Sequence, residues 1–244
     1  MNNFKADLHI HSVLSPCASL EMSPSKIVAK AKAKGINILG LTDHNSTRHC
    51  KVMSELGKEE DIFILPGIEL NTKEEIHCLA FFENIEKTEL FQEFVEKHKS
   101  AIKNNSRLFG NQLIVDKDEN IIDEVEWLLI SALDVTIDRI EEEVHRLNGL
   151  FIPAHVDRNS YSILSVLGFI PDHLHADALE VSGNSNPDSY RQADYNLICG
   201  SDAHDLKDIG RWYTELKLNK LSFDEIKGVI TSKEKSKIKI CINK

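Results

Sequence analysis

Short apolar runs separated by polar clusters divide the first third of the chain. Residues 4–10, 36–41 and 62–70 each read as a strand. Between the first two, Ile27, Val28 and Ala31 recur at helical spacing. Ser23-Pro24 before them supplies an N-cap and a proline for the first turn, and Gly35 supplies the stop. Strands alternating with helices predict successive βα units and a parallel sheet. Residues 76–82 form an apolar run without alternation, as expected of a buried barrel strand. From about residue 86 to 148 the pattern turns mainly helical around a polar, turn-rich piece at 110–120, and we read it as an insertion carrying a hairpin or small excursion. The strand rhythm then returns at 150–154, 178–181 and 197–200, and residues 237–242 alternate like an edge strand. No repeat, low-complexity tract or Pro/Gly/Ser-rich linker interrupts the chain, so residues 1–244 read as one α/β domain.

Composition narrows the class. Hydrophobic residues are 41% and charged residues 28%, ordinary for a soluble globular protein and too apolar for disorder. Cys17, Cys50, Cys78, Cys199 and Cys241 are odd in number, lack C-x-x-C spacing and follow no signal peptide, which points to a reducing cytoplasm. No apolar run approaches the roughly 20 residues that span a bilayer. A net charge of −10 repels an anionic substrate unless local cations offset it, and bound metal ions would do so. The same charge argues against an extended nucleic-acid surface, though not against a grip on one terminal nucleotide.

The chemistry-bearing residues cluster at strand ends. In Asp7-Leu8-His9-Ile10-His11 the odd-numbered side chains project to one side of a strand, so two imidazoles can share a metal. Imidazole is a borderline ligand suited to zinc, iron or manganese. Thr42-Asp43-His44 follows the second strand and Ser201-Asp202-Ala203-His204 follows the strand at 197–200. Glu69 comes after Pro66-Gly67, His77 lies on the next apolar run, and His155 follows Ile152-Pro153-Ala154. Strand C-terminal ends are where barrels and open α/β folds assemble active sites. A lone histidine is more often ordinary packing. Here six of eleven histidines converge on such positions, and the convergence is the signal.

Arg158, three residues beyond His155, is the first candidate for a phosphate-binding cation, because its planar fork matches two phosphoryl oxygens. Arg191 and Arg211 are weaker candidates. His49, His98, His145, His173 and His175 sit in helical or polar contexts and are expected to be mostly solvated. Trp127 and Trp212 are expected to pack rather than to stack on bases. The absence of a glycine-rich phosphate loop and of a G-x-S-x-G motif disfavours nucleotide-dependent phosphotransfer and serine hydrolysis.

With these motifs in their order, the sequence resembles the PHP (polymerase and histidinol phosphatase) superfamily: Asp7-Leu8-His9-Ile10-His11, Thr42-Asp43-His44, Gly67-Ile68-Glu69, Ile152-Pro153-Ala154-His155 and Ser201-Asp202-Ala203-His204. The resemblance implies a distorted (β/α)7 barrel holding two or three divalent ions, zinc, manganese or iron. It implies that His9, His11, Glu69 and Asp202 hold one ion, that Glu69, His77 and His155 hold a second with Glu69 bridging, and that His44 and His204 hold a third. It gives Asp7 the role of orienting an imidazole. Where the family places a histidine or aspartate after the H-x-H pair, this chain has Ser15-Pro16-Cys17, so either Cys17 or Glu21 could complete the third position. The implied activity is hydrolysis of a small phosphomonoester, or of the phosphate at a nucleotide or oligonucleotide end, by a hydroxide bridging two metals. Two other classes stay open: a metal-stabilised binding module without catalysis, and an amidohydrolase-like C–N hydrolase.

Overall fold

A computed structural model describes residues 1–183, 190 and 195–242. The chain begins with β1 (Asn2–Ile10), α1 (Pro24–Ala33), β2 (Ile38–Leu41), α2 (Cys50–Glu59) and β3 (Phe63–Asn71), and these three strands pair in parallel, as the βα rhythm predicts. Ser23, in extended conformation, precedes Pro24, and α1 buries Ile27, Val28 and Ala31.

The next strand, β4 (His77–Phe81), departs from the expected parallel order, because it pairs antiparallel with β3. A turn closed by Thr72 N–H donating to the Ile76 carbonyl at 3.0 Å joins them. A parallel crossover needs about a dozen residues or more, so so short a link can only make a hairpin.

After α3 (Ile85–His98) the insertion adds α4 (Ser106–Phe109) and a hairpin of β5 (Leu113–Val115) and β6 (Ile121–Glu124), which falls on the turn-rich piece. Then come α5 (Ile137–Arg146), β7 (Leu150–Pro153), α6 (Ile163–Leu167), β8 (Leu179–Glu180) and β9 (Leu197–Ile198). The chain closes with β10 (Trp212–Leu218), α7 (Phe223–Ile230) and β11 (Ile238–Ile242).

The main sheet runs β11-β10-β1-β2-β3-β4-β7, with β8-β9 as a separate parallel pair. The sheet curls until that pair fills its gap. Val156 N–H donates to the Glu180 carbonyl at 2.8 Å on one side, and His11 N–H donates to the Ala203 carbonyl at 3.0 Å on the other. The strands β1, β2, β3, β4, β7, β8 and β9 thus form the distorted barrel, with β4 alone reversed. β11 is an edge strand as read, whereas β10, which pairs antiparallel with β1, has no counterpart in the sequence reading.

Three apolar clusters hold this frame. One joins Leu8, Ile38, Leu65 and Phe81 to Phe223 and Ile226 of α7, and a second packs Val28 and Met53 of the first two helices against Leu39 and Ile64. The third lies beneath the insertion and unites Phe91, Trp127, Val144 and Phe151. Residues of the segment after β4 therefore share this core with Ile68, Ala80 and Phe151 of the barrel strands, and Trp127 packs as anticipated.

Candidate metal centre

Because β4 runs backwards, its first residue lies at the barrel mouth. Asn71, the last residue of β3, pairs with His77, and His77 Nδ1 approaches Glu69 Oε1 at 2.9 Å. His9 and His11 reach the same mouth from β1, His44 from the loop after β2, His155 from the loop after β7, and Asp202 and His204 from the loop after β9.

Glu69, fully buried, is the focus. Nitrogens of five imidazoles lie within 3.3 Å of its carboxylate: His9 at 3.3 Å, His11 at 3.3 Å, His44 at 3.1 Å, His77 at 2.9 Å and His155 at 3.3 Å. Asp202 Oδ1 stands 3.3 Å from His9 Nε2 and 3.2 Å from His11 Nε2. Burial would raise the carboxyl pKa of Glu69, but His77, His9 and His44 hold it well below the usual range. Burial likewise works against protonating His11, yet the Asp202 and Glu69 carboxylates beside Nε2 push it up to about 9. His44 goes the other way, held well below an ordinary histidine by burial and by His11, His77 and His204. Burial and the charge on His11 push His204 down to about 4.

Tautomers follow from the outer partners. His9 Nδ1 faces the Glu180 carboxylate at 2.9 and 3.0 Å, so the proton of the neutral ring sits there and Nε2 is the nitrogen turned to the centre. Gly200 makes room for this contact: a Cβ there would come within 2.7 Å of His9 Cβ and 3.1 Å of Glu180 Oε1. His11 Nδ1 lies 3.2 Å from Ser15 Oγ. That hydroxyl already donates to Asp43 Oδ1 at 2.7 Å, so His11 must be the donor and again Nε2 faces inward.

The imidazole-orienting role expected of Asp7 thus belongs to Glu180. Asp7 lies one rung deeper on β1 and accepts from the backbone N–H of Ser201 at 2.8 Å and of Gly210 at 2.7 Å, securing the loop that carries Asp202. Burial lifts its pKa to about 6 against those hydrogen bonds. Glu180 escaped the sequence reading, although a carboxylate within the apolar run 178–181 was its signal. Tyr161, whose ring stacks on His77 with centroids 4.8 Å apart, carried no such signal.

The remaining candidates separate. Arg158 Nη2 meets Asp202 Oδ2 at 2.5 Å, and both line a cavity of about 200 Å³ with His155, Ser201 and Arg211. Arg191 lies outside the described residues. Cys17 is exposed and joins none of the ligand clusters, and burial of its sulfur together with the charges of Glu69 and Asp202 pushes the thiol up to about 12. Glu21 turns to Lys26 instead, at 2.7 Å. Of the histidines expected in solvent, His173 and His175 are exposed. His145 is half-buried between Glu141 and Asp177, and His49 is fully buried, because both find polar partners across element boundaries.

Three triads bring one ligand atom each to within 4.8 Å of one another: His9, His11 and Asp202; His44, Glu69 and His77; and His11, His44 and His204. His44 therefore reaches the Glu69 group as well as His204. His9 Nε2, His11 Nε2, His44 Nδ1 and His155 Nδ1 are buried without a hydrogen-bond partner, although carboxylate oxygens lie beside the first three. Such orphans are costly, and lone pairs converging with carboxylates fit divalent ions.

The sequence matches the PHP domain family over residues 7–156, more than half its length, and the chain belongs to that family. The Ser201-to-His204 motif lies beyond the matched span, where the fold brings it back to the same mouth. Among relatives, a 5'-3' exoribonuclease of Haemophilus influenzae is 34% identical over 87 residues, covering 34% of this chain and 30% of that protein. The chain spans between 12% and 64% of the length of the curated relatives it matches.

Similar solved structures include the lesion-specific endonuclease PfuEndoQ from Pyrococcus furiosus, with TM-score 0.71 and 22% identity over 94% of this chain and 56% of that one. A candidate metal-dependent phosphoesterase from Bifidobacterium adolescentis gives TM-score 0.58 and 17% identity over 82% and 87%. At these identities the two structures speak for the fold. Among the described residues no helix is long and apolar enough to cross a membrane.

Proposed function

We propose that the chain is a metal-dependent phosphoric ester hydrolase acting on a small phosphomonoester or on the terminal phosphate of a nucleotide or oligonucleotide end. The observation that carries this reading is the set of buried, partnerless imidazole nitrogens turned toward Glu69 and Asp202. His9, His11, Glu69 and Asp202 would hold one ion, Glu69, His77 and His155 a second, and His44 and His204 a third. Divalent ions held there would act as Lewis acids and bring the pKa of a coordinated water to near 7.

The chain's own groups do the rest. Glu180 and Ser15 would hold the Nδ1 protons of His9 and His11 in place, so that Nε2 is the nitrogen each ring gives up to an ion. Arg158 swings from Asp202 to phosphoryl oxygens in the adjoining cavity, where its charge offsets the acidic surface. His204, whose Nδ1 bonds the Asp202 carbonyl at 2.9 Å, keeps Nε2 for an ion, so it is not the leaving-group acid.

The test is metal analysis followed by phosphate release from histidinol phosphate, nucleoside bisphosphates, 5'-phosphorylated oligonucleotides and a phosphotyrosine peptide. Release that needs the ion and stops on chelation is the expected result. A fully loaded protein that releases no phosphate, or that cleaves only amides, would overturn the reading.

A further inference from the structure

His49 precedes α2 and belongs to none of the ligand triads, yet it is fully buried and both ring nitrogens are engaged. Nε2 lies 2.9 Å from the backbone N–H of Val115, which donates to it from strand β5 of the insertion. An N–H cannot donate to a protonated nitrogen, so the ring proton is on Nδ1. Burial lowers the pKa of this imidazole, which favours the neutral ring that the geometry requires.

Nδ1 lies 2.6 Å from Ser12 Oγ, which in turn donates its proton to Asp43 Oδ2 at 2.6 Å. Ser12 Oγ also accepts from Leu14 N–H at 3.2 Å, so its hydrogen-bonding capacity is full. Asp43 Oδ1 accepts from Ser12 N–H at 2.7 Å and from Ser15 Oγ at 2.7 Å. Ser15 Oγ receives His44 N–H at 3.1 Å and His11 Nδ1–H at 3.2 Å. Every proton in the chain is thereby assigned, with Val115 N–H at one end and His11 at the other.

We propose that His49 is a positioning residue for the centre. It holds the Ser12–Asp43–Ser15 relay in the one arrangement that keeps the His11 proton on Nδ1, and the backbone of the insertion sets the His49 tautomer that makes this possible. The inference rests on the reading of His11 as a ligand through Nε2, and it makes the insertion part of the site's support. Hydrolysis is not among its readouts.

Two measurements test it. In the wild-type protein, nitrogen-15 NMR of the imidazoles should find His49 neutral with its proton on Nδ1, a tautomer less common than Nε2–H; an Nε2–H ring would overturn the proposal without any variant being made. Zinc affinity, measured by competition with a chromophoric chelator, should fall about tenfold in H49F, at the low end of the range for outer-sphere partners. H49N places an amide N–H where Nδ1 was, and should recover most of that loss. Wild-type affinity in H49F, or an equal loss in H49N and H49F, would reduce His49 to packing. Should H49F fail to fold, H49N and the wild-type tautomer decide alone. Zinc binding without phosphate release would sink only the phosphoesterase reading, whereas a protein that binds no zinc would remove the ligand reading and this inference with it.

Discussion

The two walls of the centre are built differently. His9, His11, His44 and Glu69 come from β1, β2 and β3, where the strands pair in parallel and the polar groups behind the ligands are buried. Asp43 is 1% exposed and accepts three hydrogen bonds. His155 comes from the loop after β7, and Asp202 and His204 from the loop after β9, beside a pair of strands, β8 and β9, of only two residues each. There His155 and Asp202 adopt φ of +28° and +49°, a left-handed conformation that costs a non-glycine residue about 1–3 kcal/mol. Such strain persists only where the surroundings over-determine it: Glu180 holds the His9 ring and accepts from His155 N–H at 3.0 Å, and Asp7 accepts from Ser201 N–H beside Asp202 at 2.8 Å. The first wall is thus fixed by its strands, and the second by two buried carboxylates, Glu180 at His155 and Asp7 at the loop that carries Asp202, which tie it to the first.

Substitutions that cut the shared points should have the largest effects. Glu69→Gln keeps the shape but removes the charge that five imidazoles face, so bound metal should drop by more than one ion and turnover by more than about a hundredfold, beyond the range of outer-sphere changes. Elemental analysis and steady-state kinetics check this, and full occupancy with retained turnover would break the bridging role.

Glu180→Ala should cost about ten- to a hundredfold in metal affinity. It should also speed amide exchange at His155, which loses its acceptor. Unchanged exchange would mean that the second wall is held by something else. Arg158→Ala touches only the mouth. Metal content should stay, while KM for the phosphate ester rises about ten- to a hundredfold, the worth of a charge-assisted hydrogen bond of roughly 1.5–3 kcal/mol. Arg158→Lys should recover part of this, having lost the fork.

The same contrast explains what the sequence made legible. β1 to β3 announce themselves because each apolar run is followed by a polar ligand, and their order fixes His9, His11, His44 and Glu69 without knowledge of contacts. The reversal of β4 was harder to see, since an apolar run says nothing of direction, although the short link at 72–76 held the answer. Glu180 and His49 were missed for a common reason. Their partners, His9 and Val115, lie 171 and 66 residues away in sequence, and no local spacing reveals a buried hydrogen bond across such distances. Asp7 was misread by proximity: two residues from His9 and on the same side of the strand, it nevertheless serves the loop after β9.

The smallest effect is also the one that separates protons from metal. In the metal-free protein His11 titrates at about 9 instead of 6.5, and His9 is likewise raised. Both rings stay protonated in the folded chain where the unfolded chain has lost those protons. Their stabilisation is complete below about 6.5 and is lost as pH rises toward 9. On the acid side the sign reverses. His44 and His204 are lowered, His204 to about 4, so below 6.5 the unfolded chain binds the extra protons and stability falls again. The chelated protein should therefore be most stable near pH 6.5. A bound ion replaces the protons on His9 and His11, so affinity should rise about tenfold per pH unit for each proton displaced. Thermal unfolding of chelated and loaded protein at pH 6, 7.5 and 9 would show the Tm gap widening with pH. A constant gap would mean that the ions do not compete for the nitrogens of the first wall, and the ligand assignment of His9 and His11 would fail.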